Sequence, residues 1–325
     1  MEALAASEGK RARAANSLHV MTRTRVSAWP SLWGSIALAA CAAAPPARAS
    51  AKKELVVWGV FKTEGWKRAY AEFQRRHPEI RLVTTATGGR MDEQKLMCGI
   101  AGGSPPDCIN QDRFSIGGWA ARDAFRALDD LIERDRREPD GIWVEDFYAA
   151  CWQEAMSEGR VYAIPNTTDD RLLYYNEDLL RKAGYVDPRG NVVPPRTWAE
   201  LKDYAVRLTR RNARGEIEQI GFIPNYGNSW LYLYGWQNGG RFMSPDGRMC
   251  TLNDPRIVEA LEYVVEVYDA LGGVEETDAF AASFQTGELD PFLTGKVAMV
   301  INGNWNLDLI ARHKPDMNFG IAPAP

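Results

Sequence analysis

After Ser50 the sequence alternates short apolar runs with stretches of helical period, and no other feature constrains the fold as strongly. Glu54 to Trp58 reads as a strand and Glu64 to Arg76 as a helix, ending at His77-Pro78 because proline disfavours helix in the residue before it. Ile80 to Thr85 is the next strand, Asp92 to Ala101 a helix closed by Gly102-Gly103, and Asp107 to Asn110 a strand. Val144 to Met156 reads as one helix and Val161 to Ile164 as a strand. The pattern continues with a helix over Asn176 to Ala183, and Thr197-Trp198-Ala199-Glu200 spells a capping box that opens another. Asp254-Pro255 starts the clearest helix, with Ile257, Leu261, Val264, Val265, Tyr268 and Leu271 as its expected core stripe and Gly272 as its stop. Val297 to Ile301 is a strand running into Asn302-Gly303-Asn304-Trp305. Strands and helices in this order predict α/β bodies with mainly parallel sheets flanked by helices. At 325 residues the chain suits two such bodies.

Charge narrows the partners. The chain has 39 Lys+Arg against 43 Asp+Glu, and without its first 49 residues the balance is 33 against 41, a net charge of −8. Nucleic acid, which calls for a basic stripe, is therefore excluded as a partner. The first 49 residues look different. Arg23 and Arg25 precede an apolar run from Val26 to Ala44, interrupted by Pro30, which reads as an export signal. Two endings compete: Ala47-Arg48-Ala49 as a cleavage site before Ser50, favoured because the apolar run passes Cys41, and Leu38-Ala39-Ala40-Cys41 as a lipobox with Cys41 lipidated. Cys98, Cys108, Cys151 and Cys250 remain, with Cys98–Cys108 as one pairing and four free thiols as the alternative. Their spacing fits no zinc signature, and no cofactor is expected.

Ligands of open α/β sheets bind beyond the carboxyl ends of strands. Four such ends are polar and aromatic here: Phe61 to Trp66, Gln111-Asp112-Arg113, Asn166 to Arg171, and Asn302 to Trp305. Carboxylate, amide and guanidinium groups can bond two neighbouring hydroxyls of a sugar, and flat rings cover its C–H face. Trp58, Tyr174 and Tyr175 are expected to pack inside rather than to meet a ligand.

Taken together, Ile109 to Phe114, Ala163-Ile164-Pro165, Tyr174 to Leu180, Pro195 to Leu201, Gly295 to Met299 and Asn302 to Trp305 resemble family 1 extracellular solute-binding proteins, the maltose-binding-protein-like components of ABC importers. The resemblance implies a type II-like periplasmic-binding-protein clamp of two lobes. On this reading residues 1–49 are the export segment, 50–168 the N-terminal lobe and 169–325 the C-terminal lobe, expected to be incomplete because relatives continue and return to the first lobe. It implies sugar contacts from Asp112 and Arg113, from the acid Asp169, and from the ring of Trp305. Trp230 and the loop of Lys62, Glu64 and Trp66 occupy further contact regions, and Thr167, Thr168 and Asp170 fall at the hinge. The implied partners are a mono- or oligosaccharide and the membrane permease subunits, with the binding protein itself a periplasmic monomer or a membrane-anchored lipoprotein.

Two other readings use the same residues. A secreted glycoside hydrolase would need two carboxylates at a set separation, which Asp112 and Asp169 could supply. Yet no nucleophile–base or metal motif is present, and the three histidines, His19, His77 and His313, lie apart in sequence. A non-sugar solute such as glycerol phosphate or a polyamine would want a cluster of bases or of acids, and neither stands out.

Overall fold

A computed structural model of the chain describes residues 53–60, 63–86, 93–138 and 141–325. The first sheet is built around β1 (Lys53–Val60), whose Val-Val-Trp centre suits a pleated, half-buried surface. Helix α1 (Glu64–Arg76) returns the chain to β2 (Ile80–Ala86), and α2 (Glu93–Ala101) to β3 (Cys108–Ile109). Both neighbours pair with β1 in parallel, as the alternation predicts, in the order β2-β1-β3. No residue of α1 is fully buried. Its attachment is polar: the Gln74 amide donates to the carbonyls of His77 and Ile80 and accepts from the Leu82 N–H at 3.1 Å. Gly59 is required where β1 meets the turn after β3. Its φ is +79°, and a Cβ there would lie 2.6 Å from the Asn110 carbonyl oxygen.

The chain continues through α3 (Ile116–Ala120) and α4 (Asp129–Asp135) to the region read from sequence as one helix over 144–156. The structure corrects that reading. A single 3₁₀ turn (Val144–Asp146) is followed by extended backbone at Phe147 and Tyr148, and only then by α5 (Ala149–Glu154). Met156 is not helical. It opens a hairpin of β4 (Met156–Ser157) and β5 (Arg160–Val161), which is shorter than the expected strand over 161–164. Glu158 and Gly159 form the two-residue turn, both with positive φ (49° and 78°), which matches the twist of the flanking strands.

The second body begins at β6 (Arg171–Asn176), which leads into α6 (Glu177–Lys182) through an Asn176 side-chain cap on the Leu179 N–H. Thr197 caps α7 (Trp198–Arg207) as expected, although Glu200 bonds the Arg196 N–H rather than that of Thr197. A hairpin of β7 (Arg210–Arg211) and β8 (Ile217–Gln219), then α8 (Leu231–Gln237), precede α9 (Pro255–Leu271), capped by Asp254 and ended by left-handed Gly272. The buried positions of α9 are Ile257, Ala260, Tyr263, Val267 and Leu271. Leu261 and Val265, placed in the core stripe by sequence, are about half exposed. The true stripe turns on Ala260, whose small side chain lets α9 lie close to its neighbours; hydrophobicity alone drew the stripe one position round.

After α10 (Val274–Ala281), β9 (Met299–Gly303), α11 (Trp305–His313) and β10 (Phe319–Pro323) complete the second sheet, ordered β10-β6-β9. Here the expected parallel pairing gives way, since β6 runs antiparallel to both neighbours. The reason is topological. β9 and β10 are joined through α11 and run alike, while β6, arriving from the first body, inserts between them in the opposite sense. Beyond β9 the parallel habit returns in a bridge between Ile220 and Val297. Among the described residues, two contiguous clusters of buried apolar residues lie in this body, and Leu173, Tyr174, Met299 and Ile301 are completely sealed from solvent. Tyr174 and Tyr175 pack inside as expected.

Candidate functional site

The turn after β3 carries the first group. Asp112 precedes a 3₁₀ turn (Arg113–Ser115), and the Ser115 hydroxyl donates to the Asp112 carbonyl at 2.9 Å. The Asp112 carboxylate makes no capping bond and faces solvent. Arg113 is held from three sides. Its Nε lies 3.2 Å from Glu154, its Nη1–H donates to Cys151 Sγ at 3.2 Å, and its Nη2–H donates to Asp169 Oδ1 at 3.4 Å. The Cys151 thiol in turn donates to Thr168 Oγ1 at 3.4 Å, tying α5 to the crossing segment. A further hydrogen bond fastens that segment, the Asn166 side-chain amide donating to Asn110 Oδ1 at 2.9 Å.

Asp169 is the meeting point of the two bodies. One oxygen accepts from Arg113 and the other pairs with Arg171, the first residue of β6. The Arg171 guanidinium lies over the Trp305 ring, 4.9 Å from its centroid, a cation–π contact. Arg113, Asp169, Arg171 and Trp305 thus form one continuous line of side chains across the crossing. Trp305 opens α11 directly after β9, and its ring folds back over Gly303, the register partner of Arg171. Any Cβ at Gly303 would collide with that ring, so glycine at this position is what lets the ring take its place. The ring remains 46% exposed.

Trp230, 44% exposed, stands at the start of α8 on a neighbouring loop. It is joined to the end of β9 by the Asn228 side chain, which donates to Asn302 Oδ1 at 2.8 Å. Tyr232 meets Trp230 edge-on at 6.0 Å and Trp236 at 5.0 Å, extending the aromatic surface. Buried polar atoms lacking a hydrogen-bond partner include Gln111 Oε1, Arg171 Nε and Asn306 Nδ2, all at these strand ends.

The remaining candidates are less central. Glu64, in the first turn of α1, is highly exposed; the hydrogen bond from Lys67 holds its carboxyl below the usual range, with a weaker pull from Arg312 of α11 in the second body. Trp66 stacks on Tyr70 at 5.7 Å. Thr167, Thr168 and Asp170 occupy the exposed crossing segment beside Asp169. Lys62, Cys41 and the export segment lie outside the described residues. Cys98, Cys108, Cys151 and Cys250 are all free thiols in this structure, so the Cys98–Cys108 pairing is not formed. Sequence reading did not single out Arg171, Glu154 or Cys151. An arginine opening an otherwise apolar strand, directly after Asp169-Asp170, was the available signal for the first; nothing local marks the other two. Among the described residues, no group of three or more His, Cys, Asp or Glu is placed to hold a metal, and no helix is long and apolar enough to cross a membrane.

Comparison with known proteins places this geometry in a family. Residues 62–325 match the family described as bacterial extracellular solute-binding protein. The galactooligosaccharide-binding protein of Bacillus subtilis (strain 168) is 25% identical over 305 residues, covering 90% of this chain and 65% of that protein. The sn-glycerol-3-phosphate-binding periplasmic protein UgpB of Escherichia coli (strain K12) is 27% identical over 264 residues, covering 78% and 56%. Among solved structures, CpMnBP1 with mannobiose bound superposes with a TM-score of 0.70 at 28% identity, covering 84% of this chain and 69% of that one. The chain spans 57% of the length of a Brucella abortus (strain 2308) binding protein that it matches at 27% identity, and curated relatives are in general longer. The fold is that of the two-lobed sugar-binding structures. With more than three quarters of its length inside the match, the chain belongs to the bacterial extracellular solute-binding protein family.

Proposed function

We propose that this protein is the extracytoplasmic solute-binding component of an ABC importer, taking up a neutral mono- or oligosaccharide between its lobes and handing it unchanged to a membrane permease. The observation that carries the reading is the line Arg113–Asp169–Arg171–Trp305, which brings donors from the first body and a half-exposed ring from the second to one place. A sugar asks for that combination: hydrogen-bonding groups for its rim and a flat face for its C–H surface. The charges also fit a neutral guest. Arg113 faces Glu154 and Asp169, and Arg171 faces Asp169, so neither guanidinium is left without a counter-charge for a phosphate. The relatives named for galactooligosaccharide and mannobiose support the sugar; the relative named for glycerol 3-phosphate makes that solute the arm to test against.

In this mechanism the open form admits the sugar, whose hydroxyls engage Asp112 and Arg113 while its ring stacks on Trp305. Contacts to both lobes exist only when closed, so binding shifts the population towards closure. The boundary between lobes falls at residues 168 and 169, with Thr167, Thr168 and Asp170 absorbing the hinge motion. Export by the N-terminal signal, with cleavage after Ala49 or lipidation at Cys41, brings the protein to its site of action as a monomer. A thermal-shift screen with malto-, manno- and galacto-oligosaccharides, their monosaccharides and sn-glycerol 3-phosphate tests the reading. Stabilisation by at least one neutral sugar, recovered unhydrolysed, is expected. A response to glycerol 3-phosphate alone, or release of shorter sugars, would overturn it.

A further inference from the structure

The loops carrying Trp230 and Trp305 are 75 residues apart in sequence yet share one short run of amide side chains. Asn228 Nδ2 donates to Asn302 Oδ1 at 2.8 Å, and Asn302 Nδ2 donates to Asn306 Oδ1 at 3.3 Å. The same Asn302 oxygen accepts from its neighbour's backbone, the Gly303 N–H, at 3.0 Å. The backbone reinforces the junction, since the Asn228 N–H donates to the Ile301 carbonyl at 2.9 Å. Gly227 makes the approach possible: its φ is +69°, and a Cβ there would lie 2.7 Å from the Ile301 oxygen. Asn306 is 2% exposed, Ser229 is sealed, and β9 beneath them is core. Trp230 lies two residues beyond Asn228, and Trp305 three beyond Asn302. The run therefore ties the segment that bears Trp230 to the one that bears Trp305.

We propose that Asn302 is a positioning residue which, through Asn228 and Asn306, locks the segments bearing Trp230 and Trp305 into one register and so sets the length of saccharide the protein prefers. The amide is suited to this work because it accepts and donates at once. A hydrophobic residue would remove the partner of the half-buried Asn228 amide and leave the buried Gly303 N–H and the Asn306 side-chain oxygen without this bond, a loss that is costly where water cannot replace it. A guest long enough to lie on both rings depends on their fixed spacing, whereas a monosaccharide lying on one ring does not. The consequence for ligand length rests on the sugar-binding function; the mechanical coupling does not.

The test separates those two parts. Hydrogen–deuterium exchange on the full chain without ligand compares wild type with Asn302→Ala and Asn302→Asp. Asn302→Ala is expected to lose protection over residues 302–306 and also over 226–230, and Asn302→Asp, which keeps the accepting oxygen, to restore the distant segment. Faster exchange confined to 302–306 would overturn the coupling whatever the protein binds. Calorimetry with maltotriose, mannotriose and their monosaccharides then reads the consequence. Asn302→Ala should weaken the trisaccharide that wild type binds by about tenfold and its monosaccharide by less than about threefold. Equal weakening of both would overturn the length role. Asn228→Ala, which removes one rung on a surface loop, serves if Asn302→Ala folds poorly and should show the same split. A wild type that binds no sugar would refute the functional proposal while leaving the exchange result to decide the coupling.

Discussion

Trp305 follows a strand whose Met299, Val300 and Ile301 are buried, whereas Arg113 stands on a short turn held chiefly by charged and polar partners. The contrast extends through the two bodies. In the second, Leu173, Met299 and Ile301 are fully buried within a broad core, and the ring is mounted on that rigid base. In the first, β1 is only half-buried over Leu55 to Trp58 and α1 buries no residue completely; Ile116, Trp119 and Trp152 are buried nearby, while Arg113 itself is held by Glu154, Cys151 and Asp169. Dense packing fixes a surface to within fractions of an ångström, while partly exposed ion pairs are worth about 0–1 kcal/mol each and tolerate rearrangement. The Trp305 ring is thus mounted on a densely packed base, and Arg113 on a network of partly exposed ion pairs and hydrogen bonds.

Substitutions in the two sheets probe the contrast most strongly. Leu173→Ala should destabilise the protein by about 3 kcal/mol, as a sealed leucine leaves a cavity. Leu55→Ala in the first sheet should cost about 1 kcal/mol. Urea unfolding of both variants checks the difference, and equal losses would erase the distinction between bodies. Next in size, Trp305→Ala should weaken the preferred sugar about thirtyfold, on the order of 2 kcal/mol, with the unfolding midpoint hardly moved. Calorimetry and a melting curve on the same preparation settle it.

Asp112→Asn should weaken binding about fivefold, because a charged acceptor for sugar hydroxyls becomes a neutral one. Glu262→Gln, on the exposed face of α9, should leave binding unchanged in the same titration. The smallest effect is expected at α1. Hydrogen bonds from Arg75 and Arg76 lower the Glu72 carboxyl from 4.5 to about 2. A depressed carboxylate contributes stability that is present above its ordinary value and lost as pH falls through the folded one. Exchange protection of α1 should therefore hold down to about pH 4.5 and decline towards pH 2. Glu72→Gln should flatten that decline, and an unaltered profile would show that α1 is held by packing instead.

How much of this was legible beforehand follows the same physics. Helix starts with local chemical causes were readable: Asn176, Thr197 and Asp254 cap as their sequences imply, and Glu64–Arg76 matches throughout. The hairpin at Glu158-Gly159 was missed because Val144 to Met156 has enough apolar residues to imitate a helix. The antiparallel setting of β6 was not readable, because pairing sense depends on where a distant strand arrives. Asp112, Arg113, Asp169 and Trp305 are expected as contacts from the resemblance, and the structure brings Arg113, Asp169 and Trp305 into one line of side chains while Asp112 faces solvent. The grip of Cys151 and Glu154 on Arg113, 38 and 41 positions away, and the approach of Arg171 to Trp305, 134 positions away, depend on proximity in space that local sequence does not encode.

A clamp of this kind requires one solute to touch both bodies. A crystal structure of the full chain with the sugar that stabilises it most would show this directly. The prediction is a sugar ring stacked about 4 Å from Trp305, with hydroxyls about 3 Å from Asp112 or Arg113 in the same molecule. A sugar held by one body alone, or bound away from these side chains, would contradict it.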